Sequence, residues 1–145
     1  MAEATVDMLN ALWTTKRALI DQYVARSKVR AARGDEELAE RFSDFAFGQM
    51  RVVSGLLDRI VALDGIPQLR PVQPVPVGAA IPDQLHHSRQ AEMAIIPQLE
   101  DARRLCGETG DAETLALIEA ALEQAHERLE WLASAALDEP QPLQR

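Results

Sequence analysis

The segment from Gln68 to Pro82, QLRPVQPVPVGAAIP, constrains this chain more than any other stretch. Pro71, Pro74, Pro76 and Pro82 each lack an amide proton and hold φ near extended values, which predicts extended or polyproline backbone and no helix. On both sides lie long segments in which apolar residues recur at helical spacing. The first runs from about Val6 to Ala32, with Leu9, Leu12, Leu19 and Tyr23 on one stripe, and breaks at Gly34-Asp35. The second runs from about Glu36 to Leu63, carries Leu38, Phe42, Phe45, Val52 and Leu56, and stops at Asp64-Gly65-Ile66-Pro67. The third is expected from near Asp83 to about Cys106. Gly107 and Gly110 bracket a turn, and Asp111 caps a fourth helix ending near Leu137.

The lengths select the topology. Helices of about 25 residues are roughly 38 Å long. An extended connection of about 18 residues reaches roughly 59 Å. The proline-rich connection therefore runs the whole length of a bundle and makes helices two and three parallel. The short turns make helices one and two, and three and four, antiparallel. The expected fold class is all-α, a four-helix bundle with one long crossover between helices two and three. Residues 1–145 are expected to form a single domain, with 138–145 a polar, proline-broken flexible tail.

Composition narrows the function classes. A formal net charge of -8 repels nucleic-acid phosphates and argues against such a partner. The single Cys106 excludes an internal disulfide framework and fits a reducing cytoplasm. No apolar run approaches the roughly 20 residues that span a bilayer. The opening MAEATVDMLNALW lacks a basic segment followed by a long apolar one, so a cytoplasmic location is expected.

Each apolar stripe is interrupted near its middle. Lys16 stands between Leu12 and Leu19, Gln49 between Phe45 and Val52, Glu92 between Ser88 and Ile95, and Arg128 follows Ala125. In an antiparallel bundle these midpoints lie at similar depth. Buried ions persist when paired, so Lys16, Glu92 and Arg128 are expected to share one network. A second apolar surface, formed by Trp13, Ile20 and Val24 on helix one and Phe47, Met50, Leu57 and Val61 on helix two, points to a subunit interface.

LNALW and ALIDQY in helix one, QMRVVSGLLDRIVALDGIPQL across helix two and ERLEWL late in helix four carry a resemblance. Through these segments the sequence resembles the bacterioferritins, from Leu9 to Leu137. The resemblance implies a ferritin-like bundle and hollow shells that oxidise and store iron. It also implies a di-iron site with a Glu from each of helices one and three and a Glu-x-x-His pair from each of helices two and four. On this sequence those positions are Lys16, Glu92, Gln49 with Val52, and Ala125 with Arg128; only Glu92 keeps its ligand. One carboxylate does not hold two ferrous ions, so no di-iron centre and no ferroxidase activity are expected.

The family's second cofactor is haem b, one per subunit pair, held by a methionine from each subunit. Met50 stands at that position, and Ile20, Val24, Phe47, Arg17 and Arg51 are the expected surroundings, the two arginines as propionate partners. The function implied is a haem-binding, ferroxidase-inactive subunit of an iron-storage shell. It would form a homo-oligomer, or a hetero-oligomer with a ferroxidase-competent bacterioferritin subunit, and support electron transfer for iron release. The family also carries a short fifth helix near its four-fold channels, and this sequence stops at about that point. That feature favours the alternative, a ferritin-like dimeric structural or interaction module without iron storage.

Overall fold

The computed structural model of the chain describes residues 2–139. Four helices follow one another: α1 (Ala2–Ala32), α2 (Glu36–Ala62), α3 (Ile81–Thr109) and α4 (Ala112–Asp138). Asp35 caps α2 by accepting from the Leu38 amide, and Asp111 caps α4 by accepting from the Thr114 amide. The side-chain pairs fix the directions. Tyr23 packs on Phe42, and Ser27 donates to the Ala39 carbonyl, so α1 and α2 are antiparallel. Thr15 meets Gln98 and Arg26 meets Ser88, so α1 and α3 are antiparallel. Phe45 packs on Trp131 and Arg59 on Thr114, so α2 and α4 are antiparallel. Helices α2 and α3 are therefore parallel, and residues 63–80 cross the length of the bundle between them.

The core is a column of Leu9, Leu12, Tyr23, Phe42, Leu56, Ile60, Leu85, Ile95, Leu99 and Ile118, all essentially inaccessible. At Gly55 a Cβ would lie 2.8 Å from Leu117 Cδ1, so glycine there lets α2 and α4 approach closely.

Helix ends differ from the sequence expectation in instructive ways. α1 begins at Ala2 rather than Val6, and α3 begins at Ile81, with Pro82 inside its first turn. Proline costs nothing there, because first-turn amides have no helical partner. α3 also continues through Gly107 to Thr109. Gly110, and not Gly107, takes the left-handed conformation (φ 75°) and ends it. Pro97 sits within α3 on an exposed position and supplies no amide to the turn before it. The flexible tail expected over 138–145 lies, from residue 140 onward, outside the described residues. Among the described residues no helix is long and apolar enough to cross a membrane.

The crossover is held to α1 by side chains reaching its backbone. Asn10 donates to the Ile66 carbonyl (3.3 Å) and accepts from the Gln68 amide (2.8 Å). Arg26 donates to the carbonyls of Val77 and Pro76 (both 3.0 Å), and Arg30 to that of Ala79. Arg17 donates to the Arg70 carbonyl.

Candidate functional site

Midway along the bundle, one side chain from each helix enters the core with a polar head. These are Lys16 from α1, Gln49 from α2, Glu92 from α3 and Arg128 from α4, all buried. Glu92 is the hub. Its Oε1 accepts from Arg128 Nε (2.7 Å), Gln49 Nε2 (3.2 Å) and the Tyr23 hydroxyl (2.7 Å). Among the described residues the Arg128–Glu92 ion pair is the only one in the interior, and charge-assisted bonds of this length are the strong kind. Val52 and Ala125, on the same helices as Gln49 and Arg128, are buried and pack the neighbouring volume.

Lys16 corrects the sequence expectation. It is fully buried, yet Nζ makes no hydrogen bond and no ion pair with Glu92. Burial, and then the repulsion of Arg128, pull its pKa from 10.5 down to about 7; the attraction of Glu92 opposes them. Glu92 Oε1 is already claimed by three donors, whereas Glu92 Oε2, Gln49 Oε1 and Arg128 Nη2 stay unpaired. The centre thus pairs one acid with one base and leaves a second base to shed its proton near neutrality. Tyr23 was expected only as core filling. Burial, followed by the charge and hydrogen bond of Glu92, raises its hydroxyl well above the usual tyrosine range, so it stays a neutral donor.

The arrangement offers little to a metal. Among the described residues, no three of His, Cys, Asp and Glu gather where an ion could be held. A divalent cation here would meet one carboxylate, already bonded, beside a guanidinium.

A second region lies on the outer side of α2. Met50 is 39% exposed, Phe47 56% and Val61 62%, with Val24 of α1 at 38%. Among the described residues these apolar groups are only partly covered. Ile20 is half-buried beside them in sequence register. Trp13 does not belong to this surface. It is buried, donates from Nε1 to Asn10 Oδ1 (3.1 Å) and lies under the Arg17 guanidinium. Arg17 is occupied by the Arg70 carbonyl and Trp13, and Arg51 lines a groove between α2 and α4. Arg17 is thus spent within the chain, where the sequence reading expects a free guanidinium.

Comparison with known proteins agrees with this architecture. Residues 6–139 match the ferritin-like domain. A bacterioferritin of Mycobacterium avium is 30% identical over 125 residues, covering 86% of this chain and 79% of that protein. One from Mycobacterium leprae (strain TN) is 29% identical over 125 residues, with the same coverage of 86% and 79%. The Rhodobacter capsulatus bacterioferritin, solved with a metal-free dinuclear site and haem iron in a crystallographic special position, superposes with a TM-score of 0.88. That match covers 92% of this chain and 84% of the other at 20% identity, and concerns the fold.

Proposed function

Because the chain belongs to the bacterioferritin family, we propose that it is a haem-binding, ferroxidase-inactive subunit of an iron-storage shell. It assembles with a ferroxidase-competent subunit that supplies the di-iron sites. The observation that carries this reading is the centre around Glu92. Lys16, Gln49, Val52, Ala125 and Arg128 occupy the positions where the family resemblance places the other iron ligands, and Arg128 takes the carboxylate that remains. Those residues do not fit a di-iron cluster, so no oxidation step is assigned to this subunit.

Met50 fits haem ligation. Its thioether is not spent in the core, it stands on a partly exposed helix face, and Phe47, Val24 and Ile20 offer apolar surface for a porphyrin edge. One such face supplies half a site, and a second copy supplies the other, giving one haem b per subunit pair. When bound, haem supplies one-electron transfer, which in a storage shell serves reductive release of iron. The chain's own part is to present the sulfur and to exclude water around the macrocycle. Arg17 is not included as a propionate partner, since it is engaged with the Arg70 carbonyl; Arg51, which makes no ion pair among the described residues, is kept.

The test is to isolate the native complex from its own cells and to record particle mass, subunit composition and visible spectrum. A large mixed particle with a bis-thioether haem spectrum is expected. A haem-free dimer would overturn the proposal and favour a structural ferritin-like module.

A further inference from the structure

Between α2 and α4 runs a surface groove of about 450 Å³, and three guanidinium groups line it: Arg41, Arg51 and Arg128. Its aromatic wall is Phe45 and Trp131, whose rings meet edge to face with centroids 5.5 Å apart. Arg41 stacks over Trp131 at 5.0 Å, which orients its fork without using its hydrogen-bond donors. Arg128 is only 5% exposed; it spends Nε on Glu92, and its Nη2 has no partner. Nη2 itself is sealed from solvent, so Arg128 meets the groove with the small remaining part of its side chain and adds its positive charge to the floor.

Neither Arg41 nor Arg51 makes an ion pair among the described residues. Planar forks from two facing helices, lining one concavity, match the geometry of a tetrahedral oxyanion. We propose that this groove is an oxyanion site that takes inorganic phosphate or a phosphate group of like size. Arg41 and Arg51 grip it from the mouth, and Arg128 adds its charge from the floor. Asp44 and Glu127 line the same groove and oppose the anion. They hold the affinity down and give the proposal a second sign to test. The inference does not depend on haem binding, because Met50 lies on another face of α2.

The experiment is a titration of the iron-free, haem-free protein with inorganic phosphate at neutral pH and constant ionic strength set by chloride. It is followed by calorimetry and by the fluorescence of Trp131 in a Trp13→Phe background. Saturable binding of one phosphate per chain is expected. Arg51→Gln should weaken it about tenfold, Asp44→Asn should tighten it, and Arg103→Gln on α3 should leave it unchanged. Circular dichroism checks that each variant keeps its helices. Arg51 and Asp44 are exposed, so the decisive variants do not test the core. Failure of the wild type to saturate, or equal affinity in Arg51→Gln and wild type, overturns the proposal.

Discussion

Arg128 and Glu92 meet through a single 2.7 Å bond, Nε to Oε1, where the Glu92 side chain is wholly inaccessible and that of Arg128 is 6% exposed. The bond joins α4 to α3, and Tyr23 and Gln49 bring α1 and α2 to the same oxygen. All four helices are thus referred to one carboxylate. A charge buried in this way is tolerable because its partners are fixed by helices that hydrophobic packing already positions.

Removing that carboxylate strands its donors. Glu92→Ala should lower stability by about 3–5 kcal/mol, because it leaves the Arg128 guanidinium buried without a counter-charge. Glu92→Gln should cost less, since the amide oxygen still accepts from Tyr23 or Arg128. Urea denaturation of both variants beside the wild type measures the difference. Equal losses would mean that the charge itself is irrelevant.

Lys16 makes a prediction of the opposite sign. Its folded pKa, about 7, lies below its ordinary 10.5, so the unfolded chain binds the extra proton between those values. Stability from this group is therefore lowest below about pH 7 and is regained as pH rises toward 10.5. The gain from pH 7 to pH 9 should be about 2 kcal/mol in the wild type. Lys16→Met should remove that slope and be the more stable protein at pH 6–7. Denaturation midpoints across this range decide the matter. Tyr23, whose raised pKa lowers stability above pH 10, stays silent below pH 9.

These relationships were unevenly legible in the sequence. Helical apolar spacing and the prolines of the crossover sufficed for the bundle and its topology. Lys16, Gln49, Glu92 and Arg128 were visible as polar breaks in apolar stripes. The Arg128–Glu92 pair was expected from them; that Lys16 stays outside it was not visible, because it depends on how many donors one carboxylate oxygen accepts. The Tyr23 hydroxyl was hidden by a residue that serves equally as core filling. Asn10, Arg26 and Arg30 escaped notice because their partners on the crossover are backbone carbonyls, which leave no trace in residue identity.

Arg26 illustrates the energetic weight of that hidden class. Its guanidinium serves the Val77 and Pro76 carbonyls, Ser88 Oγ (3.2 Å) and Gln22 Oε1 (3.3 Å). Arg26→Met should cost about 2–4 kcal/mol and raise hydrogen exchange at the α3 N-terminus, where Gln84 donates to Gly78. Arg26→Lys should recover only part of the loss, because an ammonium cannot fork to two adjacent carbonyls. Full rescue by lysine would show that charge alone is needed.

Met50 is the position on which the haem reading turns. Protein reconstituted with haem b should show a low-spin bis-thioether spectrum at one haem per two chains. Met50→Leu should abolish it while helical content stays unchanged, since leucine fills a similar volume without sulfur. Retention of the same band in the variant would remove Met50 as ligand.

The last expectation concerns iron. Ferrous oxidation at a bundle centre needs two ions held by several carboxylate and imidazole donors, and the one carboxylate here is bonded to Arg128, Gln49 and Tyr23. The isolated chain should therefore oxidise ferrous iron at the rate of buffer. Restoring one ligand, as in Lys16→Glu, should not change that, because Arg128 and Ala125 leave the α4 side without donors. The Lys16→Glu variant instead puts a second carboxylate beside Glu92 and removes a cation. It should become less stable as pH rises through the carboxylate range, since like charges buried together resist ionisation. Oxygen consumption after ferrous addition, read beside a pH series of denaturation midpoints, tests both halves. A stoichiometric burst of oxygen uptake by the unmodified chain would overturn the inactive-subunit reading, whatever the stability measurements gave.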